Sequence, residues 1–354
     1  MILCKIEALF ERERESKRLF HIYDDIISFE NLLISWQEFL CGKRKRKDVA
    51  EFSLNFMDNI FALHKELKER TYQHGGYQAF KISDPKPRDI HKASVRDRLV
   101  HHAIYRIVYP YFEEKFIFDS YSCRIKKGTH KAINRFRYFS LKVSKNNTQT
   151  CWILKCDIRK FFANIDHQVL TKILTTYIPD KNILKLLETV IESFSTIQDK
   201  RLGLPLGNLT SQLFANIYLN TFDQFIKHNL KAKFYLRYAD DFVFLSADKD
   251  WLEKQISEVG RFLSDELKLE LHPDKIFLKT LASGVDFLGL VNFPDHRILR
   301  TSTKRRMIRK IKEKEKDLAI GLIGRDKFYE TVNSYLGMLK HCCGEKIRRE
   351  INKD

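Results

Sequence analysis

The sequence predicts an α+β fold, and three observations carry that reading. Both ends of the chain place apolar residues at helical spacing. The stretch from 151 to about 292 alternates strand-like and helix-like segments. Residues 234–246, FYLRYADDFVFLS, read as two apolar, aromatic strands joined at a tight turn. That turn holds Asp240 and Asp241. Ionised carboxylates packed this close repel, and each resists ionisation unless a cation neutralises the pair. Hard oxygen ligands of this kind suit Mg²⁺. For a bare Asp-Asp pair, a solvated hairpin tip is the simpler reading.

A third acid changes the balance. In CWILKCDIRKFFANIDH (151–167), Cys151 to Ile158 reads as a mostly apolar strand with Asp157 near its end, followed by a helix- or turn-like segment with Phe161 and Phe162. An acid ending one strand and two more on a neighbouring hairpin can converge. Three such acids can hold two Mg²⁺ ions about 4 Å apart, as polymerases and nucleases do for in-line displacement at phosphorus. Asp157, Phe162 five residues on, a Gly-centred segment at 204–212 and then Tyr238-Ala239-Asp240-Asp241, in that order, resemble the palm of a reverse transcriptase.

Composition is compatible with this. The chain has 354 residues, 44% hydrophobic and 31% charged, which describes a globular protein of two or three subdomains. Its 64 Lys and Arg exceed its 46 Asp and Glu, a formal charge of +18 that attracts polyanions, nucleic acid first; a merely basic surface is the other reading. Seven Cys without a CxxC support neither a zinc ribbon nor a disulfide framework, as expected for a reducing cytoplasm. The first residues have too short an apolar run for a signal peptide, and no segment approaches the ~18 apolar residues of a membrane span. The expectation is a cytoplasmic protein with no membrane partner, so the Asn-x-Thr triplets at Asn146 and Asn208 carry no weight as glycosylation sites.

Along the chain, residues 1–75 read as a helical extension, with Phe52, Phe56, Ile60, Leu63 and Leu67 on one helical face. The run Lys43–Lys47 is a solvated loop or a phosphate contact. A Gly-Gly pair and then Pro85 and Pro87 mark a change to extended structure. From about 293 the chain is helical again. Phe328, Val332, Tyr335 and Leu339 form a packing stripe there, and the preceding helix carries Lys304-Arg305-Arg306 and Arg309-Lys310.

The resemblance covers about residues 30–345 and implies a right-hand polymerase: fingers at 76–150, a palm at 151–292 with a mainly antiparallel sheet and helices at about 167–200, and a short helical thumb at 293–354. It implies RNA-directed DNA synthesis with two Mg²⁺ ions, dNTP substrates, an RNA template and a DNA or RNA primer. Asp157, Asp240 and Asp241 match the metal-binding acids, and the backbone carbonyl of Ile158 matches a further ligand. Phe162 falls at the steric gate that excludes a ribose 2′-hydroxyl; a core Phe is the alternative, in a chain with 27 of them. By position, Lys86, Arg88 and Arg124 match basic residues over the triphosphate, where positive charge stabilises departing pyrophosphate. Arg96 and Arg98 brace the fold or touch template. Lys275 matches a lysine near the pyrophosphate that can act as general acid; a surface lysine is the other reading. His101-His102 has no metal-ligand partner at suitable spacing. GVDFLGL (284–290) matches the primer-grip hairpin.

The segment LPLGNLTSQLFANIYL (204–219) departs from the commonest pattern. Most reverse transcriptases carry Gln before the Gly and Ser-Pro after it, whereas this chain has Leu206 before Gly207 and Ser211-Gln212. An aliphatic-Gly-x-x-x-Ser-Gln pattern resembles the enzymes of diversity-generating retroelements, within the group II intron-like superfamily. In that resemblance Leu206, Gly207 and Gln212 lie against the nascent base pair, template adenines are copied unfaithfully, and a small basic accessory protein assists. A retron or phage-defence enzyme differs in this motif. A group II intron enzyme is usually longer, and only about sixty residues follow the primer-grip segment. An inactive RNA-binding scaffold would have lost a carboxylate, and all three are present.

Overall fold

The computed structural model describes residues 22–83, 86–197 and 200–351. Pro85 and residues 1–21, the start of the expected helical extension, lie outside the described residues. By internal packing the chain forms two units, each drawn from separated segments. The first takes the described residues up to Phe118, with Ile158–Asn229 and Gly260–Glu270. The second takes Asp119–Asp157, Leu230–Val259 and the described residues from Leu271.

The first unit is mainly helical, and the helix Val95–Lys115 packs against the helices Phe29–Phe39 and Leu209–His228. Leu99, Val100, Ala103, Ile104, Val108 and Phe112 bury one side of it. Ser94 starts it: Ser94 Oγ accepts the Asp97 amide at 3.1 Å and donates to the Asp97 carboxylate at 2.7 Å, so an otherwise orphaned helix-terminal donor is satisfied. The expected apolar stripe is divided between two helices, Lys47–Leu54 and Phe56–Glu69. Asn55 leaves helical geometry between them, and Asn59 Nδ2 takes the Phe52 carbonyl at 3.0 Å. Ile60, Leu63 and Leu67 face the core, while Phe52 and Phe56 pack their rings on Trp36. An antiparallel ribbon of β1 (Tyr77–Ile82) and β2 (Arg88–Ala93) follows.

The second unit is built on an antiparallel sheet of β3 (Trp152–Asp157), β4 (Tyr235–Tyr238), β5 (Asp241–Ser246) and β6 (Phe277–Thr280), in the order β4-β5-β3-β6. Side chains alternate faces along each strand. Ile153, Leu236, Val243 and Leu245 share one face with a cluster that includes Ala132, Phe136, Phe139 and Val143 of the helix Thr129–Val143. Leu154, Cys156, Tyr235, Phe242 and Phe244, from the other face, are also buried. Burial on both faces explains why β5 reads FVFL without polar alternation.

A second antiparallel sheet, β7 (Val285–Phe287), β8 (Leu290–Asn292) and β9 (Arg297–Leu299), occupies the predicted primer-grip region. Three helices then follow, Thr301–Ala319, Arg325–Leu339 and Glu345–Ile351. Met307, Leu339 and Ile347 from these helices cluster with Ile133, Leu290 and Leu299. In the packing stripe, Val332 and Leu339 are buried and Tyr335 lies against that cluster. No described helix is long and apolar enough to cross a membrane.

Candidate active site

The three acids meet at one end of the four-stranded sheet. Asp157 is the last residue of β3 and the register partner of Asp241, the first residue of β5. Tyr238 pairs with Asp241 across the β4–β5 turn, leaving Ala239 and Asp240 as its two loop residues. Ala239 adopts φ +56°, the left-handed region that disfavours a Cβ. Arg237 Nη1 donates to the Ala239 carbonyl at 3.0 Å, and Nη2 donates to Ser120 Oγ at 3.1 Å. The arginine is fully buried, so its guanidinium braces the turn from inside the unit. Tyr238 and Thr129 join hydroxyls at 3.0 Å.

Charge at this end is only partly compensated. Burial pushes the Asp240 carboxyl up to about 6, with Asp157 and Asp241 adding repulsion against the relief from its own backbone amide and Lys275. Burial also raises Asp241, and Lys155 offsets part of that. Lys275 Nζ lies 2.7 Å from Asp157 Oδ1, and Lys155 Nζ lies 3.4 Å from Asp241 Oδ1. The Asp157 carbonyl accepts the His272 amide at 2.8 Å, which fixes the end of β3. Cys156 between them is inert: burial pushes its thiol up to about 12, and the two neighbouring acids act in the same direction.

Among the described residues, no group of three or more His, Cys, Asp or Glu side chains is gathered closely enough to hold a metal ion as it stands. Two ammonium groups already supply positive charge there. The donor set nonetheless fits Mg²⁺: all three acids are hard oxygen ligands, and burial, with repulsion between the acids added, keeps the Asp240 and Asp241 carboxyls raised despite the two lysines.

The remaining predicted residues divide between the units. Arg124 is in the second, buried, with Nη1 donating to the Ser120 carbonyl at 2.9 Å. Ile158, after Asp157 in sequence, has a buried side chain and is assigned to the first. Lys86 and Arg88 are exposed there, at the β1–β2 connection and the first position of β2. Phe162 is half-buried, packs edge-to-face on Phe161, and its carbonyl accepts the Leu204 amide at 2.8 Å.

Leu206, Gly207 and Asn208 run along β2. The Leu206 carbonyl accepts the His91 amide at 3.1 Å, and Asn208 Nδ2 donates to the His91 carbonyl at 2.8 Å. Gly207 has φ +104°, and a Cβ there would stand 2.8 Å from Ile90 Cγ2, so only glycine fits. Gln212 is half-buried in the first turn of the helix Leu209–His228.

Arg96 and Arg98 brace the first unit through ion pairs to Glu66, Asp97 and Asp48. His101 is buried against His74, with 3.1 Å between their Nε2 atoms, and burial holds its pKa well below the usual value.

Residues 81–291 match the family model for reverse transcriptase (RNA-dependent DNA polymerase), well over half of the chain. The chain belongs to the reverse transcriptase family. Among curated relatives, the chain is 27% identical over 259 residues to protein YkfC of Escherichia coli, covering 63% of the chain and 66% of that protein. It is 23% identical over 321 residues to the group II intron-encoded protein LtrA of Lactococcus lactis, covering 70% of the chain and 51% of LtrA. The matches thus span from about half to just under two thirds of those relatives. A solved apo telomerase from Candida tropicalis superposes with a TM-score of 0.50 at 13% identity, covering 66% of this chain and 50% of that one. At that identity the likeness concerns the fold alone, and the fold is the α+β right-hand polymerase fold with an antiparallel palm sheet.

Three residues that hold this region in place were announced by no motif. Lys155 stands two residues before Asp157 and so on the same strand face, a period-2 signal visible in KCD. Arg237 is the lone charge within the strand YLRY. Asn208 follows the Gly of the 204–212 segment and clamps β2.

Proposed function

We propose that this protein synthesises DNA on an RNA template by metal-assisted nucleotidyl transfer. One observation carries the reading: Asp157 and Asp241 on adjacent strands, with Asp240 in the turn before Asp241, share one end of a palm sheet in a chain of the reverse transcriptase family. Asp157, Asp240 and Asp241 are the residues to hold Mg²⁺, with the Ile158 carbonyl as a further ligand. Bound there, Mg²⁺ supplies activation of the primer 3′-hydroxyl and neutralisation of the triphosphate. The chain's own groups mainly position and stabilise charge, as in phosphoryl transfer generally. Lys86, Arg88 and Arg124 bind the triphosphate. Phe162 excludes a 2′-hydroxyl. Leu206, Gly207 and Gln212 support the nascent base pair. Lys275 gives a proton to departing pyrophosphate.

The biological setting we infer is a diversity-generating retroelement with adenine-directed errors and a small basic accessory protein. Leu206 supports it, because an apolar side chain replaces an amide that would hold a base by hydrogen bonds. Relatedness to LtrA supports a second setting, a group II intron. Primer extension on RNA and DNA templates, with product sequencing, separates these outcomes. Extension on RNA with errors concentrated opposite adenine, reduced by Leu206→Gln, supports the first setting. Errors spread evenly over the four bases argue against it, and no extension on RNA overturns the activity.

A further inference from the structure

Lys155 sits where a strand would ordinarily bury an apolar side chain. Its register partner on β5 is Val243, and its partner on β6 is Phe277. Asp241 is its diagonal neighbour on the same face, within reach of a long side chain. Lys155 Nζ lies 3.4 Å from Asp241 Oδ1 and donates to the main-chain carbonyl of Asp286 at 3.1 Å. Asp286 belongs to β7, and Arg300 Nη2 holds its carboxylate at 2.7 Å. One ammonium therefore touches both the acid of the β4–β5 turn and the backbone of the β7–β8 hairpin.

Stability alone does not call for this lysine. Its side chain is 15% exposed, and replacing a buried ion pair with apolar residues of similar volume is often neutral or stabilising. The neighbouring pair, Lys275 with Asp157, differs: Lys275 is 40% exposed, so water readily takes over from it, and among the described residues its ammonium makes no contact with the β7–β8 hairpin like that of Lys155.

We propose that Lys155 is a positioning residue that ties Asp241 to the β7–β8 hairpin and yields the Asp241 carboxylate when a divalent cation binds. The inference rests on the metal-site reading above. Cation and ammonium compete for one carboxylate, so cation binding loosens the lysine that also holds the Asp286 carbonyl. Linkage is reciprocal, and whatever fixes the hairpin shifts cation affinity. In use, the hairpin that positions the primer end would report whether the carboxylates are loaded.

The test uses the full chain without nucleic acid, as wild type, Lys155→Met and Lys155→Arg. Mn²⁺ binding is measured by electron paramagnetic resonance, and amide hydrogen exchange is followed over residues 285–292 with and without Mn²⁺. Wild type should bind Mn²⁺ and exchange faster at the hairpin once loaded. Lys155→Met should bind Mn²⁺ about tenfold more tightly, the effect of removing one like charge beside a ligand. Its hairpin should exchange fast with or without the cation. Lys155→Arg should restore both behaviours, and Lys155→Gln serves if Met packs poorly. In primer extension, Lys155→Met should raise the primer KM more than it lowers kcat. Lys155→Met matching wild type in Mn²⁺ affinity and in cation-dependent exchange overturns the link while leaving the metal site intact. Wild type that binds no Mn²⁺ overturns both.

Discussion

Asp166 and Asp240 are both acids at the end of an element, and the fold treats them oppositely. Asp166 caps the helix His167–Tyr177 in the first unit: its carboxylate accepts the Val169 amide at 3.0 Å and Lys268 Nζ at 2.7 Å. Burial pushes its pKa upward, but Lys268 and the helix amides outweigh that and hold it below the usual carboxylate range. Asp240 in the second unit is pushed up to about 6, because burial and two neighbouring carboxylates exceed what its backbone amide and Lys275 return. A structural carboxylate is compensated within the fold. Asp240 and Asp241 are instead held above the ordinary carboxylate range, a deficit that a cation from outside would make up on the function proposed above.

That contrast can be broken at several points. The largest effect should come from Asp240→Ala or Asp241→Ala, which should cut primer extension about a thousandfold or more while RNA binding changes little. Persistent extension in either variant would remove the metal-site reading. Next is the pH dependence of the metal-free protein. The folded Asp240 pKa lies above its unfolded value of 3.8, so the folded state holds this proton more tightly. Its ionisation therefore costs stability above about pH 6, and the cost disappears as pH falls toward 4. For a shift of this size it reaches up to about 3 kcal/mol, shared with Asp241. Asp240→Asn should raise the metal-free melting temperature at pH 8 and flatten its rise on acidification; an unchanged profile would show that the deficit is not real.

Asp166→Ala should cost about 1–2 kcal/mol in chemical denaturation, as for other lost helix caps. The sign is opposite here: a depressed folded pKa gives stability present above about pH 4 and lost as pH falls through the folded value. Lys268→Met should be the mildest, below about 1 kcal/mol, since its ammonium is half exposed. If it instead costs as much as Asp166→Ala, the ion pair and not the helix cap holds that carboxylate.

Much of the palm was legible because its signals are local. A strand–turn–strand reads from FYLRYADDFVFLS, and the position of Asp157 near a strand end reads from CWILKCD, since apolar runs and turn residues are consecutive. The C-terminal packing stripe was legible by the same logic. The break at Asn55 was not, because Phe52 and Phe56 keep helical spacing on both sides of it and only the Asn59 side chain shows where the freed carbonyl goes. Lys155 was legible only in part: the period-2 spacing in KCD puts it on the face of Asp157, but its two partners, 86 and 131 residues away, appear only in the tertiary structure.

By itself, then, the sequence determined which acids are present, that two of them sit in a turn and one ends a strand, and that the chain is strongly basic. Only the tertiary structure decided that β3 lies between β5 and β6, so that Asp157 faces Asp241 across one strand boundary, and that Lys155 reaches both Asp241 and the β7–β8 hairpin. The physical reason is one of range. Backbone periodicity fixes which face of its own strand a side chain takes, whereas the choice of neighbouring strand comes from burying both faces of the sheet at once.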